Sequence, residues 1–101
     1  MSDWQAVVIH PEDDVAVALR PLAAGRVRVR RGSGVVELDI GQPVPLGHKL
    51  ALHDMPAGAV VRKYGEVIGV LTEAVGQGGH VHVHNLRSRR ARAADAAKPP
   101  A

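Results

Sequence analysis

The stretch Gly79-His80-Val81-His82-Val83-His84-Asn85 alternates histidine with valine and holds three of the six histidines of the chain. Side chains of a β-strand point alternately to opposite faces. An extended conformation would therefore place three imidazoles on one face of the stretch and two valines on the other. We predict a strand here, presented by a small scaffold that the upstream segments form.

Composition restricts the scaffold to one small domain. The chain has 101 residues, and its only aromatic residues are Trp4 and Tyr64. A core of Val, Leu, Ile and Ala favours a thin β architecture. There is no cysteine, which excludes disulfides and thiolate metal sites and is typical of a cytoplasmic protein. No apolar run approaches the roughly 20 residues that span a bilayer, so we expect a cytoplasmic location and no membrane association.

Short apolar segments separated by Gly- and Pro-rich turns indicate a compact all-β domain over residues 1–86. We predict a hairpin in which the turn Gly32-Ser33-Gly34 joins its two strands, and a second one around Gly65-Glu66. The predicted strands are Gln5–Ile9, Arg26–Arg31, Val35–Ile40, His48–His53, Val60–Tyr64 and Val67–Leu71.

Two charged segments, Asp13-Asp14 and 26–31, also belong to the scaffold. Asp13 and Asp14 precede an apolar run, which is a helix-start signal, so we expect at most one short helix there. The arginines of 26–31 either pair with Glu37 and Asp39 across the first hairpin or recognise an anion.

The segment 87–101 differs in composition from the domain before it. It carries five bases against one acid, whereas residues 1–86 carry eight bases against nine acids. It has no apolar stripe that would dock a helix, so we predict a basic, disordered tail. Five cations without aromatics are a weak signal for nucleic-acid binding, which we do not expect.

The histidines have two interpretations, a metal site and a solvated strand. The Cα atoms of neighbouring histidines on one strand face lie about 6.6–7 Å apart, so the imidazoles of one adjacent pair can share a metal ion. His80 and His84 would be about 13 Å apart, which is too far for all three to share one tetrahedral ion. A metal site would then need a further ligand from another strand or a partner chain, and neutral imidazoles also suit proton transfer.

Three motifs occur in order along the chain: Gly47-His48-Lys49-x-Ala51-Leu52, Lys63-Tyr64-Gly65-x-x-Ile68-Gly69 and Gly79-His80-Val81-His82-x-His84-Asn85. Together they resemble the amino-terminal domain, or separate small subunit, of the altronate/galactarate dehydratase family, to which the sulfolactate sulfo-lyases are similar. The stretch Pro11–Leu19 fits the same family, which usually carries Asn where this chain has Asp14.

The resemblance implies an SAF-type domain with the β-clip fold, made of short bent strands. It also implies a role in eliminating water or sulfite from a sugar acid or hydroxy-acid, with a divalent metal, Fe²⁺ or Mn²⁺, as cofactor. The catalytic body is then a large partner subunit, and self-association is a further expectation. We assign His80 and His82 to the metal, His48, Lys49 and His84 to catalysis, and Lys63, Tyr64 and Asn85 to substrate binding.

A second hypothesis is a stand-alone carbohydrate- or anion-binding module that uses the same scaffold without catalysis. Binding of a sugar acid by the single chain distinguishes it from the split enzyme, which needs its large subunit.

Overall fold

A computed structural model describes residues 4–88, which form nine β-strands and no helix. No helix in this part of the chain is long and apolar enough to cross a membrane. The strands are β1 Ala6–Val8, β2 Val15–Ala18, β3 Gly25–Arg31, β4 Gly34–Ile40, β5 Lys49–Ala51, β6 Val60–Lys63, β7 Glu66–Leu71, β8 His80–Val81 and β9 Leu86–Ser88. The predicted all-β class is confirmed.

The strands form a six-stranded sheet in the order β4-β3-β1-β2-β5-β8 and a three-stranded sheet in the order β6-β7-β9. All pairings are antiparallel except that of β1 with β3. The predicted first hairpin is confirmed over its full length, from Gly25 opposite Ile40 to Arg31 opposite Gly34. The second hairpin turns at Tyr64-Gly65, one residue earlier than predicted, because both residues have positive φ, as type I′ turns require.

The arginine face of the first hairpin pairs with carboxylates. Arg26 contacts Glu37 and Asp39, both at 3.2 Å, and Arg28 lies 3.8 Å from Glu37. These side chains are substantially exposed, so solvent and salt screen the pairs and they contribute little to stability.

Two apolar cores share the β2–β5 ladder. Ala16 and Leu50, paired across the ladder, face the first core, which the six-stranded sheet dominates. Their neighbours Val15 and Ala51, also paired, face the second core together with Val81 and residues of β6 and β7. Because side chains alternate along a strand, two adjacent positions on each strand are enough to connect the two halves of the domain.

One turn recurs three times and gives the domain its bends. Each copy has a buried apolar residue followed, three positions later, by a glycine with φ of 82°, 86° or 82°. A backbone hydrogen bond closes each turn, as in type II turns, which need positive φ at their third residue. The three turns are residues 45–48, 56–59 and 76–79, and the buried residues that precede them are Val44, Met55 and Val75. The sequence analysis recognised the turn residues but not the repeat.

Two predictions, for the Asp13-Asp14 segment and for the start of the basic tail, differ from the structure. The predicted helix start at Asp13 and Asp14 is wrong, because Val15–Ala18 is a strand of the six-stranded sheet and both carboxylates accept hydrogen bonds from distant loops. Strand β9 includes Arg87 and Ser88, which the prediction had assigned to the tail. The rest of the predicted tail, 89–101, lies outside the described residues.

We predict that Gly69→Ala lowers the free energy of unfolding by about 1–3 kcal/mol. Gly69 is buried in β7, and a Cβ there would overlap the carbonyl oxygen of Arg87 on β9. Chemical denaturation measures the loss. Gly41→Ala is the matched control, since a Cβ at Gly41 meets nothing within 4 Å. Equal stability of the two variants would contradict the packing of β7 against β9.

Candidate functional site

The histidine stretch is a two-residue strand followed by a turn, so the prediction that one strand carries all three histidines is wrong. Strand β8 ends at Val81, and residues 82–85 form the turn into β9. Asn85 closes this turn: its Oδ1 accepts a hydrogen bond from the His82 amide at 2.9 Å, and its Nδ2 donates one to the His80 carbonyl at 2.8 Å. Asn85 is only 3% exposed, so its amide group is a structural part of the loop.

The turn brings the imidazoles closer together than a strand would. The ring centroids of His80 and His84 are 4.9 Å apart, and those of His80 and His82 are 6.0 Å apart. His48, from the turn before β5, completes the group: its Nδ1 lies 2.8 Å from Nε2 of His80, and its ring stacks on His82 at 3.5 Å. We call these four residues the imidazole cluster.

Burial and nearby like charges disfavour protonation of two rings of the cluster, His80 and His82. Burial lowers the pKa of His80, and the nearby His84, His48, His82 and Lys49 lower it further. Burial, followed by His48, Lys49 and His84, also lowers the pKa of His82. The Nδ1–Nε2 contact between His48 and His80 likewise needs a ring nitrogen without a proton as acceptor. Neutral imidazoles near pH 7 are suited to accept protons.

Lys49 and Lys63 approach each other beside the cluster. The pKa of Lys49 is lowered, first by burial and then by the charge of Lys63. In the β5–β8 ladder, Lys49 is opposite Val81 whereas His80 is opposite Leu50. The lysine and the imidazole therefore start from opposite faces of the ladder, and the charge of Lys49 still lowers the pKa of His80.

A buried carboxylate holds the hairpin turn that carries Lys63 and Tyr64. Tyr64 has a φ of 58°, the one positive value among described non-glycine residues, and Nζ of Lys63 lies 4.7 Å from the centroid of its ring. Asp13, 4% exposed, accepts hydrogen bonds from the amides of Tyr64 at 3.0 Å, Gly65 at 2.8 Å and His10 at 3.0 Å. Three such bonds to one carboxylate fix the turn.

Asp14 and His53 form a second junction, away from the cluster. Asp14 accepts hydrogen bonds from the Arg62 amide at 2.8 Å and from Nε2 of His53 at 2.9 Å. The other ring nitrogen of His53 lies 3.1 Å from the carbonyl oxygen of Asp54. Both partners of the ring are acceptors, so both nitrogens must carry protons, and the pKa of His53 is raised, chiefly by the hydrogen bond to Asp14.

The cluster by itself does not form a metal site. Among the described residues, no three or more His, Asp or Glu side chains are placed to hold a metal ion. The rings of His80 and His82, the predicted metal ligands, are nearly parallel, with an angle of 7° between their planes. His48 and His80 also direct nitrogens at each other. A metal ion at the cluster needs donors from outside the described residues.

The structure therefore brings most, but not all, predicted site residues together. The four imidazoles and Lys49 form one group, Lys63 and Tyr64 lie on an adjacent hairpin, and Asn85 is a buried brace. A shallow depression next to His80 and His84 is also lined by Glu73. The sequence analysis did not include Asp13 in the site, because its position before an apolar run resembles a helix cap.

The chain is an SAF domain and belongs to a family of such domains associated with dehydratases. Residues 4–89 match the family described as the altronate/galactarate dehydratase SAF domain. The predicted family resemblance is confirmed.

Curated relatives carry this domain either alone or as a small part of a longer chain. The chain is 33% identical over 88 residues to (2R)-sulfolactate sulfo-lyase subunit alpha of Chromohalobacter salexigens, covering 82% of this chain and 94% of that protein. It is 42% identical over 85 residues to altronate dehydratase of Escherichia coli, covering 83% of this chain but 16% of that enzyme. Galactarate dehydratase (L-threo-forming) of Escherichia coli is 35% identical over 77 residues, covering 74% of this chain and 14% of that enzyme.

We predict that Asp13→Asn lowers the free energy of unfolding by about 2–3 kcal/mol, because an amide nitrogen replaces one charged acceptor in a buried site. Thermal or chemical denaturation measures the change. Asp39→Asn is the matched control, since the Asp39 side chain is 74% exposed and pairs only at the surface. An equal loss in both variants would contradict the role of Asp13 as a brace.

The raised pKa of His53 predicts the pH dependence of the Asp14 junction. The stabilisation is complete below the unfolded pKa of about 6.5 and is lost as the pH rises through the higher folded pKa. Because the ring is 55% exposed, we expect at most about 1 kcal/mol. The stability advantage of the wild type over His53→Gln should shrink as the pH rises above about 6.5.

An NMR titration of the imidazole protons gives a second readout. His53 should titrate above about 6.5, and His80 and His82 below it. The reverse order would contradict the hydrogen bonds assigned to these rings.

Proposed function

We propose that this chain is the small subunit of a metal-dependent hydro-lyase that eliminates water, or a similar leaving group such as sulfite, from a sugar acid or hydroxy-acid. The observation that carries the proposal is the imidazole cluster beside Lys49, in a chain that spans 94% of a sulfo-lyase subunit. The names of the relatives include altronate, galactarate and sulfolactate, which supports this substrate class.

The cluster supplies groups for the two proton transfers of such an elimination. A base must remove the proton next to the carboxylate, and an acid must assist the departing hydroxyl. His48 and His84 are our candidates for these roles. The hydrogen bond between His48 and His80 provides a path by which a proton taken up by one ring moves to its neighbour.

The lysines supply positive charge for the substrate carboxylate. Lys49 is beside the cluster, and Lys63 is held by the turn that Asp13 braces. An ammonium group binds a carboxylate as a point charge. Tyr64, 58% exposed, contributes a hydroxyl and a ring face to the same side of the substrate. Asn85 acts on the substrate only through the shape of its loop.

A divalent metal, Fe²⁺ or Mn²⁺, would stabilise the negative charge that develops on the carboxylate during elimination. Since the described residues do not provide three ligands, we propose that the large subunit provides most of them. His80 and His82 are the donors of this chain closest to such a site. The location we propose for the complex is cytoplasmic.

The site is open, which favours completion by a partner. The depression next to His80 and His84 is shallow and includes no enclosed space for a sugar acid. Elimination chemistry benefits when water is excluded from the reacting groups. A larger polypeptide that closes over the cluster would provide this exclusion.

We expect the isolated chain to show no dehydratase or sulfo-lyase activity and the complex with its large subunit to be active. In that complex, His48→Gln should lower kcat by about 10²-fold or more, because a proton-transfer group is lost. Lys49→Met should mainly raise KM. Steady-state assays with altronate, galactarate and sulfolactate measure these effects.

His53→Gln is the control for loss of an imidazole outside the cluster and should stay within about twofold of the wild type. Full activity of the single chain would exclude a split site. Tight binding of a sugar acid by the single chain, with no large subunit required for any function, would favour the stand-alone binding module.

A further inference from the structure

We propose that Leu46 and Val83 are the apolar anchors by which this chain docks onto its larger partner, at the edge that carries the imidazole cluster. The inference rests on the proposed function and extends it by identifying the docking surface. Three observations support it: the exposure of the two side chains, the hydrogen bonds that brace their loops and the charges near them.

Leu46 and Val83 are the two most exposed large hydrophobic side chains in the described part of the chain. Val83 is 81% exposed and Leu46 is 61% exposed. Exposed apolar side chains that occur singly are ordinary on protein surfaces. These two are unusual because each lies within two residues of a member of the imidazole cluster.

Both side chains are presented by internally braced loops. Leu46 lies within a turn closed by a hydrogen bond from the His48 amide to the Pro45 carbonyl at 3.1 Å. Val83 lies within the turn that Asn85 closes with its side chain and with its own amide, which donates to the His82 carbonyl at 3.0 Å. A surface already ordered before binding loses little conformational entropy when a partner docks.

The two loops meet through the cluster. The rings of His48 and His82 stack with centroids 3.5 Å apart and planes 11° apart. Each anchor therefore lies within two residues of one ring of this stacked pair. A partner that covers Leu46 and Val83 would also cover the cluster and exclude bulk water from it.

Charge indicates the chemistry of the partner surface. The charged or titratable side chains around the anchors are mainly basic, namely the four imidazoles and Lys49, with Lys63 close by. Glu73 is the acid that lines the adjacent depression. A complementary surface combines apolar pockets for two side chains with carboxylates nearby.

A larger dehydratase chain fits this surface better than a second copy does. A second copy related by symmetry would bring Lys49 and Lys63 against the same two lysines, which is electrostatically unfavourable. The relative that this chain spans almost completely is named a subunit. In altronate dehydratase, the matching region is 16% of the enzyme, so most of that polypeptide lies outside this domain.

The test measures binding to a dehydratase large chain from the same organism that lacks an SAF domain of its own. Purified wild type, Leu46→Ser, Val83→Ser and the double variant are titrated against that chain by calorimetry or surface plasmon resonance. Val36→Ser is the matched control: Val36 is 38% exposed on β4, at the opposite edge of the six-stranded sheet from β8.

We expect each anchor variant to raise Kd by about tenfold and the double variant by more, as for hot-spot residues. Val36→Ser should bind like the wild type. Circular dichroism and thermal melting establish that each variant is folded, and the two loops provide independent variants should one misfold.

Wild-type affinity of both Leu46→Ser and Val83→Ser, with the wild type bound to the large chain, would overturn this inference and leave the proposed function standing. Failure of the wild type to bind any such chain would overturn both. Loss of a homodimer, rather than of the heteromeric complex, in the anchor variants would also overturn the inference.

Discussion

The domain depends on a ladder of two short strands that is buried on both faces. Val15 and Ala51 face one core while Ala16 and Leu50 face the other, and all four are at most 1% exposed. Few ladders in so small a protein are enclosed in this way, and small side chains are needed where two cores approach each other. Lys49 is the first residue of β5 and pairs with Val17 in this ladder. His48 and Lys49 of the candidate site are therefore attached directly to the buried centre of the fold.

Buried polar groups in the described part of the chain serve the site loops. Asp13 and Asn85 are the two buried polar side chains there, and each satisfies backbone groups of a loop that carries predicted site residues. A buried polar group is costly unless it is hydrogen-bonded. Because both side chains bond to the backbone of loops, we infer that their main effect is to fix the conformation of those loops. The left-handed conformation of Tyr64 is maintained in the same way.

The domain holds its functional groups in fixed positions along one edge. The ends of strands supply Lys49, Lys63 and His80, and the adjoining turns supply the other imidazoles and the exposed apolar side chains. This division explains how one domain can occur as nearly the whole of a sulfo-lyase subunit and as about one sixth of altronate dehydratase. The SAF domain contributes a prearranged edge, and we propose that a larger polypeptide contributes the rest of the reaction site.

The sequence by itself determined the all-β class and the first hairpin, because alternation and turn residues report local backbone geometry, and its motifs determined the family. The tertiary structure alone decided that Asn85 ends the histidine strand early, that His48 joins the cluster and that Asp13 braces a turn fifty residues away in the chain. These features depend on burial and on hydrogen bonds between distant segments. A local pattern contains no information on which distant amide a carboxylate will meet, so only the packed fold assigns those roles.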